Sequence, residues 1–142
     1  MLKVAFASTD RVRVNQHFGA AEGFVVYEVA PDRSALVGVG DFPPEAMDGN
    51  EDKLLAKVDF LAGCAAVFVQ AIGASAIKQL LAKGVQPIRV GEVDCIELLL
   101  RDIAQAMHEG GVPWIDRALA QQKKSEAGSD RFAQMEDEGW PG

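Results

Sequence analysis

The sequence predicts a single α/β domain, and three observations indicate that class. Apolar runs of strand length alternate with stretches in which apolar residues recur every three to four positions. Glycine and proline separate most of these runs. The chain has 142 residues and is 49% hydrophobic, so it can bury one core without disulfides or a structural metal.

Three strands are predicted before the first helix. Residues 2–7 are apolar apart from Lys3, which is typical of a strand buried on both faces. Residues 24–29 and 35–42 also have strand character, and the turn sequence Pro31-Asp32-Arg33-Ser34 separates them. We therefore expect these two segments to form an antiparallel hairpin.

The first helix is predicted after Pro43-Pro44 ends the third strand. Asn50 is a good N-cap residue, and Glu51 and Asp52 place negative charge at the positive end of the helix dipole. Gly63 is expected to end the helix. The apolar residues at helical spacing are Leu54, Leu55, Val58 and Leu61.

A short buried strand and a second helix come next. Residues 65–69 form the strand, and Gly73 then breaks the chain. The helix is expected from about residue 74 to residue 83, with Gly84 just after its last turn.

A fifth strand and a third helix complete the pattern. Residues 85–90 have strand character, and Pro87 indicates a sheet edge or a strand end. Asp94 is predicted to cap the third helix, with Glu97 completing a capping box. The apolar side of this helix consists of Ile96, Leu99, Leu100, Ile103 and Met107.

The resulting order is β-β-β-α-β-α-β-α. Strands 1, 4 and 5 are expected to be parallel and joined by right-handed helical crossovers, while strands 2 and 3 extend the sheet in antiparallel fashion. This arrangement is a three-layer α/β domain with a five-stranded mixed sheet, of ribonuclease H-like type. Another α/β order of the same elements remains open.

The character of the chain changes near residue 109, so we divide it into a domain at 1–108 and a C-terminal segment at 109–142. Within that segment, Trp114, Ile115, Ala118 and Leu119 have the spacing of a short amphipathic helix. Residues 121–129 are polar and are expected to be mobile, and the tail that follows is acidic.

Charge and cysteine content exclude several classes of protein. The net charge of −7 argues against a general nucleic-acid binder, which would carry a basic face. Cys64 and Cys95 are too few for a disulfide framework and fit a reducing cytoplasm. The N-terminus lacks the features of a signal peptide, and no apolar run is long enough to cross a bilayer. We expect a soluble cytoplasmic protein.

The first candidate site is Asn15-Gln16-His17-Phe18-Gly19, in the loop after strand 1. The C-terminal edge of parallel strands is where open α/β sheets bind ligands. Gly19 permits a tight turn that leaves the His17 imidazole free, and a neutral imidazole is a good ligand for iron. The alternative is a surface histidine with Phe18 in the core.

The second candidate is Gln70-Ala71-Ile72-Gly73-Ala74-Ser75, which follows a strand and opens a helix. Free backbone N–H groups and the positive helix end favour an anion there, and the Ser75 hydroxyl adds a donor. The alternative is an ordinary strand-to-helix turn, because short turns containing glycine are common at this position.

The third candidate is Cys64, because a thiolate is a strong ligand for iron–sulfur species. It precedes strand 4, whereas Gly73 follows that strand, so the two lie at opposite ends of the sheet and a joint site with His17 is disfavoured. The alternative is a small buried hydrophobic residue.

Enzyme activity is the less favoured class. Metal-dependent nucleases of the ribonuclease H type need several carboxylates over the sheet, but strand 1 contains none. No hydrolase or zinc-protease motif occurs.

The ordered motifs of the chain resemble one family. Residues 3–8 and Val14-Asn15-Gln16-His17-Phe18-Gly19 are similar to the opening of the nitrogenase iron-molybdenum cofactor-biosynthesis domain, which NifX, NifY, NafY and the C-terminal part of NifB share. Three later motifs match in order: Gly49-Asn50-Glu51-Asp52-Lys53-Leu54, Gly73-Ala74-Ser75-Ala76 and Gly84-Val85-Gln86-Pro87. Pro113-Trp114-Ile115 and Glu138-Gly139-Trp140 resemble the NifX group within the family.

The resemblance implies a ribonuclease H-like fold without nuclease activity. It also implies a carrier that takes an iron–sulfur precursor of the iron-molybdenum cofactor from NifB to the cofactor scaffold complex, NifE-NifN. His17 occupies the position of the family's candidate cofactor-binding histidine.

From the resemblance and the sequence together, we expect His17 to ligate or hydrogen-bond the cluster and the helix start at Gly73 and Ser75 to face its negative charge. Arg11 and Arg13 would add positive field from the same loop. We expect the chain to be a monomer. The alternative function is a docking chaperone, in which the Trp114 segment and the acidic tail bind the scaffold.

Overall fold

The structure is a computed structural model that describes residues 1–42 and 51–123, with only the backbone described for 51–53. Within these ranges the predicted α/β order is confirmed. The elements are β1 (Leu2–Ala7), β2 (Gly23–Ala30), β3 (Arg33–Asp41), α1 (Glu51–Leu61), β4 (Ala66–Val69), α2 (Ala74–Ala82), β5 (Gln86–Arg89), α3 (Ile96–Glu109) and α4 (residues 113–123). The predicted helix cap at Asn50 lies outside the described residues.

The five strands form one mixed sheet in the order β3-β2-β1-β4-β5. β1 pairs in parallel with β4, and β4 pairs in parallel with β5. β2 lies antiparallel to both β1 and β3. The sheet is therefore mixed as predicted, and the strand that contains Pro87 is an edge strand, where a missing N–H costs least.

Helices cover both faces of the sheet, which makes three layers. Side chains along β1 alternate between two apolar clusters, with Val4 and Phe6 in one and Ala5 and Ala7 in the other. Helices α1 and α2 pack on the Ala5 side, whereas α3 and α4 pack on the Phe6 side. Because both faces of β1 are buried from Val4 to Ala7, that part of the strand is apolar throughout, whereas Lys3 near its start is exposed.

The start of α3 differs from the prediction. Cys95 occupies the N-cap position without a side-chain cap hydrogen bond, and the helix begins at Ile96. The Asp94 carboxylate instead accepts a hydrogen bond from the Arg13 guanidinium. Glu97 pairs with Arg101 on the next turn rather than closing a capping box. An ion pair from a distant loop thus replaces the predicted local cap.

The C-terminal segment packs on the domain through α4. Ile115 is buried in the Phe6-side cluster, and the Trp114 ring meets the Phe68 ring edge-on at 6.2 Å. The predicted amphipathic helix is therefore present and continues to residue 123, into a stretch predicted to be polar and mobile. Residues 124–142, with the predicted acidic tail, lie outside the described ranges. No helix in residues 1–42 or 51–123 is long and apolar enough to cross a bilayer.

Candidate functional site

The loop from Ser8 to Glu22 begins with a turn organised by Asp10. One Asp10 carboxylate oxygen accepts hydrogen bonds from the backbone N–H groups of Val12 at 2.8 Å and Arg13 at 2.9 Å. These donors, with Arg13 the stronger, lower the pKa of Asp10 below its usual value because they stabilise the charged carboxylate. The turn sends the chain across the C-terminal edge of the sheet.

The next part of this loop lies against the segment that follows β4. The Gln70 N–H donates to the Gln16 carbonyl oxygen at 2.9 Å, and the Phe18 N–H donates to the Ala71 carbonyl oxygen at 2.8 Å. His17 and Ala71 form an isolated parallel bridge between these bonds. The structure therefore brings together the two candidate segments 15–19 and 70–75.

His17 and Phe18 point in opposite directions, as neighbours in an extended segment do. Phe18 is fully buried in the Ala5-side cluster, with its ring 5.6 Å from that of Phe24. His17 is exposed, and no side chain in the described ranges hydrogen-bonds its imidazole. Phe18 thus anchors the loop, while His17 stays available to a ligand.

Asn15 and Gly19 shape the same loop. The Asn15 amide oxygen accepts from the Thr9 N–H at 3.1 Å, and the Asn15 amide nitrogen donates to the Thr9 hydroxyl at 2.9 Å. Asn15 therefore holds the loop closed. Gly19 is exposed, has no atom within 4 Å of the position of a Cβ and does not have a positive φ, so neither space nor backbone conformation requires glycine there.

Lys57 is a site residue that the sequence interpretation missed. It is buried on α1, and its ammonium group donates to the Gly19 carbonyl oxygen at 2.8 Å, with the Phe18 carbonyl oxygen at 3.5 Å. A signal was present, because Lys57 lies on the apolar stripe of α1 with Leu54, Val58 and Leu61. A lysine in a core stripe indicates a buried partner.

The start of α2 lies beside the His17 segment. Gly73 is the N-cap, no side chain caps the helix, and its first turn contains no acidic residue. Ser75 is exposed, and its hydroxyl oxygen accepts a hydrogen bond from the Gln79 amide at 3.2 Å. The free N–H groups and the positive helix end favour an anionic ligand at this place.

The two predicted arginines make no hydrogen bond or ion pair to His17 within the described residues. The Arg13 guanidinium is paired with Asp94, so its charge is largely neutralised. Arg11 is exposed and has a φ of 63°, which a non-glycine residue adopts rarely.

Cys64 precedes β4, whereas the His17 segment lies beyond the end of β4, so the two are separated by on the order of 20 Å along the strand direction. Burial raises the pKa of the Cys64 thiol to about 11, with nearby Lys3 opposing the shift. The thiol is therefore protonated at neutral pH. The described residues contain no group of three or more His, Cys, Asp or Glu able to hold a metal ion.

Comparisons with known proteins agree on one family. A family model described as "Dinitrogenase iron-molybdenum cofactor" matches residues 1–106. The chain is 46% identical to NifX of Azotobacter vinelandii over 99% of this chain and 87% of that protein. It is 34% identical to the FeMo cofactor biosynthesis protein NifB of Frankia alni over 61% of this chain and 18% of that protein.

A solved structure, PH0822, shares the fold. It superposes with a TM-score of 0.52 at 23% sequence identity, over 77% of this chain and 90% of that chain.

Proposed function

This chain belongs to the dinitrogenase iron-molybdenum cofactor family, and from that premise we propose that it carries an iron–sulfur precursor of the iron-molybdenum cofactor. In this proposal the precursor is cargo, received from NifB and delivered to the scaffold complex NifE-NifN. The family and its named relatives support a part in cofactor biosynthesis. The carrier role is our inference from the site.

The observation that carries the proposal is the pairing of the His17 segment with Ala71. It sets an exposed imidazole beside the uncapped start of α2. One side supplies a metal ligand, and the other supplies N–H donors and a positive dipole end. An anionic metal cluster is the class of ligand that uses both.

Local charge at this place opposes the acidity of the whole chain. The net charge is −7, which repels an anion at long range. The start of α2 adds the positive end of its dipole there, with no acidic residue in its first turn. Charges that lie farther from the site than the Debye length of about 8–10 Å are largely screened by salt. The positive helix end next to the site therefore outweighs the net charge of the chain, and the site can still favour an anion.

A single imidazole suits a carrier better than a closed set of ligands. A structural metal site surrounds its metal with several protein ligands and holds it tightly. One exposed histidine leaves most cluster positions to other ligands, so release needs the loss of few protein bonds. We therefore propose that the chain binds and hands on its cargo without catalysing a reaction on it.

The strand order β3-β2-β1-β4-β5, with an antiparallel β2, supports our proposal that the fold is ribonuclease H-like. β1 carries no acidic residue, which supports a role without nuclease chemistry. The free thiols of Cys64 and Cys95 support a reducing, cytoplasmic setting. We retain 1–108 as the proposed cofactor-biosynthesis domain.

The proposal is tested by anaerobic titration of the pure chain with the isolated precursor cluster, followed by absorbance. Saturable binding, followed by transfer of iron to apo NifE-NifN on a native gel, is expected. Failure to bind the cluster at any ratio would exclude the carrier role.

The second candidate is a docking chaperone without a cluster-ligand role. Trp114 is half-buried on α4, and the part of its indole that stays exposed supports this reading. A deletion that removes α4 would expose core residues because Ile115 is buried, so the informative deletion begins at residue 124. Loss of scaffold binding with intact cluster binding would assign residues 124–142 to partners.

A further inference from the structure

A concave surface lies at the edge of the sheet opposite His17. It is a cleft of about 940 Å³ where the parallel strands begin. The starts of β1 and β5, the turn before β4 and one side of α4 form its walls. We call it the strand-start cleft.

The rim of this cleft is positively charged, in contrast to the chain as a whole. Lys3, Lys83 and Arg117 line it, and Glu28 is its one carboxylate. Glu28 lies directly across from Lys3 in the β1–β2 register and offsets that charge. Lys83 and Arg117 have no ion pair within residues 1–42 and 51–123. Two uncompensated cations therefore face a cleft on a protein of net charge −7.

The lining of the cleft also includes apolar side chains. Leu2 and Val85 are buried there, and burial keeps the Cys64 thiol neutral. Trp114 is half-buried, with its ring against Phe68, and Leu81 is 52% exposed at the rim. The lining thus offers apolar contact area between two cations.

The wall formed by α4 is fixed in place. The Gln122 side-chain amide donates to the Met1 carbonyl oxygen and joins the last described turn of α4 to the start of β1. Ile115 anchors the first turn in the core. The cleft is therefore a preformed surface, which lowers the ordering cost of binding.

We propose that the strand-start cleft docks an acidic segment of a partner protein, with carboxylates on Lys83 and Arg117 and an apolar side chain against Trp114 and Leu81. Charge complementarity supports this occupant. Small-molecule sites instead fix their ligand with a few buried polar groups, and the described lining residues include no buried polar side-chain atom without a partner. A long polyanion such as nucleic acid would extend onto the acidic remainder of the surface, which repels it.

The position of the cleft would let a partner dock without covering the His17 site. It lies at the strand starts, whereas His17 and the start of α2 lie at the opposite edge of the sheet. A partner held in the cleft leaves the His17 loop uncovered. Docking in the cleft does not depend on what the His17 site binds, so each can fail without the other.

The test is fluorescence anisotropy with a labelled peptide of alternating glutamate and leucine, at about 50 mM and about 200 mM salt. We expect saturable binding that weakens at the higher salt. Lys83→Glu/Arg117→Glu should bind roughly tenfold more weakly. Lys78→Glu/Arg89→Glu is the matched control, because both residues are exposed, lie outside the cleft, have no ion pair within the described ranges and give the same change in net charge. It should change binding by less than about twofold.

Tryptophan fluorescence supplies a second readout. In a Trp140→Phe background the remaining indole is that of Trp114, and the peptide should shift its emission. Equal weakening by both charge-reversal variants, or no peptide binding by the folded native chain, would overturn the proposal. Binding only after deletion of residues 124–142, or tighter binding of single-stranded DNA than of the peptide at the same cleft, would also overturn it and name another occupant.

Discussion

The Phe18 N–H donates a hydrogen bond to the Ala71 carbonyl oxygen at 2.8 Å, and this bond ties two loops that are far apart in the sequence. On one side of the bond, the Phe18 ring is fully buried. On the other side, His17 faces solvent beside the start of α2. The proposed cargo site exists only while this pairing holds.

Phe18→Ala should destabilise the domain by about 3–5 kcal/mol, because it removes a fully buried aromatic ring and leaves a cavity. Urea denaturation monitored by circular dichroism measures the loss. Phe60→Ala is the matched control, since Phe60 is 36% exposed, and it should cost less than half as much. A Phe18→Ala protein as stable as that control would mean that Phe18 does not anchor the loop.

The sequence predicted the layers of this fold because the spacing of apolar residues and the positions of glycine and proline depend directly on local structure. The structure has the predicted strand at residues 2–7 and the predicted turn at Pro31-Asp32. Gly84 follows the last turn of α2 as predicted, with a φ of 78°. The antiparallel hairpin and the parallel crossovers followed from element order and handedness.

The contacts between loops did not follow from the sequence. The bridge between His17 and Ala71 joins two segments, and the sequence of neither one predicts contact with the other. The same holds for the Arg13–Asp94 ion pair, which displaced the predicted cap of α3. The burial of Lys57 could have been predicted, because the sequence places it on the apolar stripe of α1. Its contact with the Gly19 carbonyl oxygen could not.

Gly23→Ala should destabilise the domain by about 1–3 kcal/mol, because its Cβ would lie 2.8 Å from the Ser8 carbonyl oxygen. That oxygen belongs to backbone at the root of the His17 loop, so it cannot move freely. Gly38→Ala is the control on the neighbouring strand, where the Cβ would meet the Val26 Cβ at an ordinary 3.8 Å. Gly38→Ala should change stability by less than about 1 kcal/mol in a thermal melt. Similar losses from both would contradict this account.

Lys57→Met should lower the free energy of unfolding by about 1–3 kcal/mol, since the Gly19 carbonyl oxygen loses its donor. Amide hydrogen exchange should quicken in residues 15–19. Lys78→Met, at an exposed position of α2, should change stability by less than about 0.5 kcal/mol. Unchanged exchange in Lys57→Met would show that the lysine does not hold the loop.

Stability should depend on Cys64 at high pH. The folded-state pKa of this thiol is raised from 9.0 to about 11, so the unfolded chain loses its proton first as pH rises. The stabilisation is complete below pH 9 and is lost progressively as pH rises towards 11. The loss amounts to about 2–3 kcal/mol over that window.

Urea denaturation of the native chain and of Cys64→Ala between these pH values isolates the contribution of this thiol, because every other titrating group is common to both. The native chain should lose more stability than the variant. Parallel curves for the two proteins would show that burial does not perturb the thiol.

The most direct test of the central claim compares the two histidines of this chain under anaerobic titration with the isolated iron–sulfur precursor. His17 lies beside the start of α2, whereas His108 is exposed near the end of α3. We predict that His17→Ala loses saturable binding, or weakens it by roughly tenfold or more, as expected when one metal ligand is removed, while His108→Ala binds like the native chain. Undiminished binding by His17→Ala would contradict the account and move the cluster away from this loop, with Cys64 the next residue to test.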